Sequence, residues 1–256
     1  MLTDKHPQRV QVSIDNGCVL IGSDAHIWPG PTSTAMRAFI KFSKDLKPRA
    51  VILNGDVMDF PKISRHPRIG WEGLPEVQEE IAAAKLVLEK VEKAAGKARK
   101  IWTLGNHDAR FESKIANVAG EYKGVFGVHL KDHFPKWECG WSCWVNDVVI
   151  KHRFKGGDHA AYNNAVKSGR TIVTGHLHSA KVSPVTDYNG TRWGVDSGCL
   201  ADVTAKPFVD YTEDNPLNWR SGFAVLTFCK GKLLPPELVS VWDDKSVVFR
   251  GEVVRV

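Results

Sequence analysis

The spacing of hydrophobic and polar positions changes along the chain, and each change marks a new element. Val10, Val12 and Ile14 alternate with polar residues, Asn16-Gly17 offers a tight turn, and Cys18-Val19-Leu20-Ile21 follows as an apolar run. That pattern predicts an N-terminal hairpin. Over 33–46, Met36, Phe39, Ile40 and Phe42 recur at roughly helical spacing behind a Ser/Thr cap, and Pro48 stops the helix before the core strand Ala50-Val51-Ile52-Leu53. A long helix is expected over 75–99, begun by Pro75 and lined by Ile81, Leu86, Leu88 and Val91, with a strand over 100–104 directly after it. A short helix over 109–119, a strand over 147–152, a helix near 158–168 and a strand over 170–174 continue the alternation. Between them, 120–146 reads as an irregular, aromatic-rich insertion or cap segment. From 180 onward the chain is β-rich, with hairpin turns expected at Asn189-Gly190 and Lys230-Gly231-Lys232. Strands alternating with helices imply parallel strands covered by helices, and the C-terminal part adds a second, antiparallel layer. The expectation is one α/β domain over 1–256.

Composition narrows the class. Hydrophobic residues are 43% and charged residues 25% of the 256, the profile of a globular protein, which excludes disorder and collagen-like repeats. Apolar runs such as 50–53 are far too short to span a bilayer, and MLTDKHPQRV lacks the apolar core of a secretory signal. Five cysteines, an odd number, do not make a disulfide framework and predict a reducing, cytoplasmic setting. Lys plus Arg is 35 against 29 for Asp plus Glu, a net charge of +6. A basic surplus attracts phosphate-rich partners such as nucleic acid or nucleotides, but its meaning depends on where the cations lie.

The chemistry gathers at strand ends. CVLIG is followed by Ser23-Asp24-Ala25-His26, AVILN by Gly55-Asp56-Val57-Met58-Asp59, and IWTL by Gly105-Asn106-His107-Asp108. DVVI leads to Lys151-His152, and TIVT to Gly175-His176-Leu177-His178. Ligands of α/β sheets bind beyond the carboxyl ends of strands, so five strand ends deliver metal-ligating side chains to one edge. Residues one position apart project from the same side of an extended segment, which pairs Asp24 with His26 and His176 with His178. Mixed carboxylate, imidazole and amide ligands suit borderline divalent ions better than magnesium or calcium. Asp24, His26, Asp56, Asn106, His152, His176 and His178 are too many for one such ion, and Asp56 is the natural bridge between two.

The series SDAH, GDVMD, GNHD, His152 and GHLH resembles the calcineurin-like metallophosphoesterase superfamily over about residues 18–200. The resemblance implies a four-layer α/β/β/α sandwich with a di-metal site at the strand C-terminal ends. It assigns Asp24, His26, Asp56 and His178 to one ion, and Asp56, Asn106, His152 and His176 to the other. Two divalent ions are implied, manganese favoured, with iron, zinc or nickel as alternatives. His107 then becomes the catalytic histidine, Asp108 its orienting partner, and Asp59 a residue that supports the site. The expected reaction is hydrolysis by a water activated between the two ions, with His107 assisting the leaving group. The chain lacks the Arg after Asp59 that family phosphoprotein phosphatases carry, and GNHD resembles the phosphodiesterase and exonuclease branches. A phosphodiesterase acting on DNA, RNA or nucleotides is therefore expected. The alternatives are a phosphomonoesterase of small metabolites and a binding scaffold without catalysis.

Two basic segments are candidates to contact substrate. One holds Lys62, Arg65, His66 and Arg68, and the other surrounds His152 with Lys151, Arg153 and Lys155. Basic residues beside a di-metal centre would bind further phosphates of a polynucleotide. In 137–144, Trp137, Trp141 and Trp144 could stack bases, although such tryptophans more often fill a small core or an interface. Cys139 and Cys143 lack the second pair that would complete a zinc site.

Overall fold

Successive residues of the central strands serve different cores, because side chains alternate across a sheet. The computed structural model describes residues 8–66, 73–205, 212 and 215–256. In it β2 (Gly17–Gly22), β3 (Ala50–Leu53), β4 (Arg99–Thr103) and β5 (Glu138–Gly140) run parallel. Antiparallel to β2 lies β11 (Gly222–Cys229), followed outward by β13 (Glu237–Asp243), β14 (Ser246–Phe249) and β15 (Glu252–Arg255), while β12 (Lys232–Leu233) folds back on β11. The second sheet has the order β1-β6-β7-β8-β10-β9. Its strands are β1 (Arg9–Val12), β6 (Ser142–Val145), β7 (Val148–Ile150), β8 (Ile172–Thr174), β9 (Lys181–Asp187) and β10 (Gly190–Asp196).

Val19, Ile21, Ala50, Ile52 and Ile101 meet Val145, Ile150, Val173 and Val195 in the core between the sheets. Their neighbours Leu20, Val51, Leu53 and Trp102 turn outward against α1 (Thr34–Asp45) and α2 (Val77–Ala95). On the far side, Val149 and Ile172 pack with Ala165 of α5 (Ala160–Ser168). The result is the expected α/β/β/α layering. Helices α3 (Asp108–Val118) and α4 (Leu130–His133) follow β4.

Local signals explain most boundaries. The Ser33 hydroxyl accepts from the Met36 amide and starts α1, as a Ser/Thr cap predicts. Helix α2 is shorter than expected: Glu76 and Glu79 form a capping box after Pro75, and Gly96, at φ 53°, ends it. Leu86 does not join its apolar face but is 66% exposed; Ile81, Ala84, Leu88 and Val91 make that face instead. The return at Lys230-Gly231 has φ of 50° and 72°, the two positive values of a tight two-residue hairpin.

Two expectations fail. Strand β1 does not form a hairpin with β2 but pairs in parallel with β6 in the other sheet. Asn146 makes this possible by accepting from the Ile14 amide at 2.9 Å and donating to its carbonyl at 2.7 Å, so the chain crosses between sheets before Gly17. Residues 138–145 of the stretch read as irregular are two strands, β5 and β6, one in each sheet.

Candidate metal centre

The loops after β2, β3 and β8 bring their side chains together through strained backbone. Asp24, His26, Asp56, His176 and His178 have φ of 52°, 40°, 51°, 71° and 56°. Left-handed conformation at a non-glycine residue costs of order 1–3 kcal/mol and persists only where its surroundings enforce it. Cross-loop bonds do so here: Asp24 N donates to Gly55 O at 2.9 Å, His26 N to Asp56 O at 3.1 Å, and His176 N to Asp24 Oδ2 at 2.8 Å. Asp24 and His26 thus meet in one ligand group through left-handed turns, not the extended backbone expected from their spacing, whereas His176 and His178 fall in different groups. A methyl on Gly175 would overlap the Ser23 hydroxyl and the Asp24 carboxylate, so only glycine lets this loop close on the site.

Three groups of potential ligand atoms result, each within 4.8 Å. One, of His26, Asp59 and His107, contains the His107–Asp59 hydrogen bond; the other two are Asp24, His26 and His178, and Asp56, His152 and His176. They adjoin, since His152 Nε2 is 3.0 Å from Asp56 Oδ2 and 4.0 Å from Asp24 Oδ1. Asp24 Oδ1, His152 Nε2 and Asn106 Oδ1 are buried without a well-aligned hydrogen bond, the first two facing His178 Nε2 at 3.1 Å and Asp56 Oδ2 at 3.0 Å. Buried polar atoms are rarely left so, and a pair of cations, one in each of these two groups, would satisfy all three. His152 Nδ1 faces Asn54 O at 2.8 Å, which turns Nε2 inward as a metal-ligating histidine requires. These residues therefore fit two divalent ions. Burial disfavours a charged His152, but Asp24 and Asp56 outweigh it and raise its pKa to about 9. Without an ion, a proton supplies the positive charge that two buried carboxylates need.

His107 lies beside these groups, its Nε2 3.7 Å from Asp56 Oδ2. Its Nδ1 is hydrogen-bonded to Asp59 Oδ1. Burial works against a charged ring, but Asp59 and Asp56 prevail and the His107 pKa is raised. The orienting carboxylate is therefore Asp59, not Asp108. Asp108 turns away: its Oδ2 accepts from Asp56 N, Gly105 N and Trp102 Nε1, each at 2.9 Å, and its Oδ1 from Val57 N at 3.0 Å. The motif pointed to Asp108 because it adjoins His107 in sequence, whereas Asp59 reaches the ring only through the fold.

Two residues that the motifs do not include complete the setting. Arg110, one turn into α3, donates to Asp59 O at 2.7 Å. Glu80, fully buried on α2, accepts from Asp59 N at 3.1 Å and Phe60 N at 2.8 Å, and so holds the loop that presents Asp59. Burial pushes Glu80 up to about 7, with the Asp59 charge adding to the effect. Because the folded pKa exceeds the ordinary one, the stabilising state is the protonated one, complete below about pH 4.5 and lost as pH rises through about 7. Glu80→Gln keeps an acceptor oxygen and cannot ionise. It should be more stable than the parent at pH 8, by on the order of 2 kcal/mol, and no more stable at about pH 4, as urea unfolding at both pH values would show.

The model of the calcineurin-like phosphoesterase family matches residues 19–192. The chain belongs to that family. Family members bind divalent metals, and their chemistry is phosphoester hydrolysis. This phosphoesterase is 26% identical over 249 residues to the Gene 54 protein of Mycobacterium phage D29, covering 87% of this chain and 93% of that one. Among solved structures it is similar to a Vps29 single mutant from Entamoeba histolytica, with a TM-score of 0.48, 14% identity, and coverage of 93% and 99%. It is also similar to a dimetal phosphatase from Danio rerio, with a TM-score of 0.45, 10% identity, and coverage of 89% and 96%.

The phosphoesterase site opens into a cleft lined by Arg65, His66, Arg110, Lys151 and Arg153. Lys62 is instead paired with Glu76, and Lys155 does not line the cleft. Arg68 lies outside the described residues. The three tryptophans of 137–144 divide. Trp137 is buried and donates to Glu92 at 2.9 Å, and the guanidinium groups of Arg9 and Arg170 lie over the Trp144 ring, at 4.1 and 5.0 Å from its centroid. Trp141, 46% exposed, reaches the cleft wall. Cys139 and Cys143 join no metal-ligating group among the described residues. No helix among them is long and apolar enough to cross a membrane.

Proposed function

We propose that this protein hydrolyses phosphodiester bonds of nucleic acid or nucleotides at a pair of divalent ions, manganese favoured. Asp24, His26, Asp56 and His178 would hold one ion, and Asp56, Asn106, His152 and His176 the other. Bound there, the ions supply Lewis acidity that neutralises phosphate charge and lowers the pKa of water. His107, oriented through Nδ1 by Asp59, presents Nε2 toward the leaving oxygen and holds the proton that this oxygen needs.

The observation that carries the diester reading is the pair of cations flanking His152. Lys151 and Arg153 both line the cleft, and neither has a carboxylate partner among the described residues. Burial, with Arg153 adding to it, lowers the Lys151 pKa, so an anion beside them would relieve both. A monoester is fully served at the ions, whereas the neighbouring phosphates of a polynucleotide require cations further along the cleft.

The deciding assay supplies manganese and compares bis(p-nitrophenyl) phosphate, p-nitrophenyl phosphate, and single- and double-stranded DNA. Diester hydrolysis with DNA cleavage is expected. Monoester hydrolysis alone would make the protein a phosphatase, and inertness in every arm would make it a scaffold. Arg153→Ala should weaken DNA binding and reduce the slope of log affinity against log salt by about one phosphate contact. Lys62→Ala should leave both within about twofold, because Glu76 already occupies that ammonium.

A further inference from the structure

Arg110 is held beside His107 from two directions. Its backbone amide donates to His107 O at 2.9 Å, and its Nη1 donates to Asp59 O at 2.7 Å. That leaves Nη2 at 3.2 Å from His107 Nε2. Among the described residues the carboxylate oxygen that approaches the guanidinium, Asp59 Oδ1, is 3.7 Å from Nη1, well beyond the roughly 2.7–2.9 Å of a charge-assisted bond. That oxygen already serves His107 Nδ1 and faces His26 Nδ1 at 3.4 Å. The Arg110 side chain is only 18% exposed, yet it lines the cleft.

A largely buried cation thus points a donor at a ring nitrogen, where no anion among the described residues is in charge-assisted contact. An imidazole nitrogen is a modest acceptor for a guanidinium when neutral and a repelling donor when protonated. An anionic oxygen lodged between Nη2 and Nε2 would be a better partner for both. The fixed Nη1 bond matters as well. It anchors one side of the planar fork to the loop that carries Asp59, so the other side can turn to a ligand without the side chain leaving the site.

We infer that Arg110 binds an anionic oxygen of the substrate's phosphate group, its Nη2 turning from His107 Nε2 to that oxygen and leaving Nε2 directed at the leaving group. This deepens the functional reading above and rests on it for the reaction, but phosphate binding itself can be measured whether or not the protein turns over.

The test titrates inorganic phosphate into the manganese-loaded full chain by calorimetry, for the parent and for Arg110→Ala, Arg110→Gln and Arg110→Lys. Bound manganese and melting temperature are measured on each. The alanine and glutamine variants should bind phosphate about tenfold or more weakly with manganese content unchanged, and the lysine variant should fall between, since it keeps the charge but not the fork. The same variants should raise KM for bis(p-nitrophenyl) phosphate. Phosphate affinity within about twofold of the parent in both neutral variants, or no phosphate binding by the loaded parent, would overturn the assignment. If Arg110→Ala fails to fold, the glutamine and lysine variants decide the matter. A parent that binds phosphate through Arg110 but cleaves no ester would sink the functional reading and leave this one standing.

Discussion

Replacing His107 with alanine should slow turnover by about 10²–10⁴-fold, the usual contribution of a positioned proton donor, while manganese remains bound. The expectation follows from how the residue is divided between two tasks. Its backbone amide donates to Asp56 Oδ1 at 2.8 Å, and alanine keeps that bond. Its ring belongs to neither of the two groups that share the Asp24–Asp56 centre, and in the third group, with His26 and Asp59, its Nδ1 is already hydrogen-bonded to Asp59, so two ions at that centre would keep their donors. The ring is 21% exposed, so its removal opens space to solvent instead of a sealed cavity, and stability should change little. Single-turnover kinetics and metal analysis on one preparation separate the outcomes. Loss of manganese would make His107 a ligand, and full activity would remove it from the reaction. Asp59→Asn should act in the same direction more weakly, because the ring then loses its charged partner but keeps its place.

Much of this site was legible because strand ends advertise themselves. An apolar run that stops at glycine and an acid or histidine is readable without any tertiary information, and five such stops supplied every side chain of the two potential ligand groups around Asp24 and Asp56. Long-range pairing left less trace. The alternation at Val10, Val12 and Ile14 identified a strand correctly, but nothing local says that its partner is β6, more than 130 residues away, and not the adjacent run. Polar residues that serve the backbone were hidden for a related reason. Glu80 sits in a helix rich in charged residues, and only the arrival of the Asp59–Phe60 loop makes it different from Glu79. Arg110 is equally ordinary in sequence and becomes notable only through its 3.2 Å approach to His107.

Asp108→Ala should unfold the protein more readily than any other single change considered above, by about 3 kcal/mol or more. Four donors converge on that carboxylate, and it is 1% exposed, so alanine strands Asp56 N, Val57 N, Gly105 N and Trp102 Nε1 away from water. Each stranded buried donor costs about 1–3 kcal/mol, and the costs overlap where one water could enter and serve several. The damage also reaches the metal centre. Asp56 is left-handed at φ 51°, and its amide is fixed by Asp108 Oδ2, so release of that bond lets the loop relax away from the geometry that joins the two ligand groups. Manganese affinity should therefore fall together with the urea midpoint. An orienting partner of His107 would behave differently: its loss would lower turnover and leave both the midpoint and the metal content intact. Asp108→Asn sharpens the contrast. It retains one acceptor oxygen but turns an amide donor toward at least one N–H, so it should lie between parent and alanine in stability and in metal affinity alike.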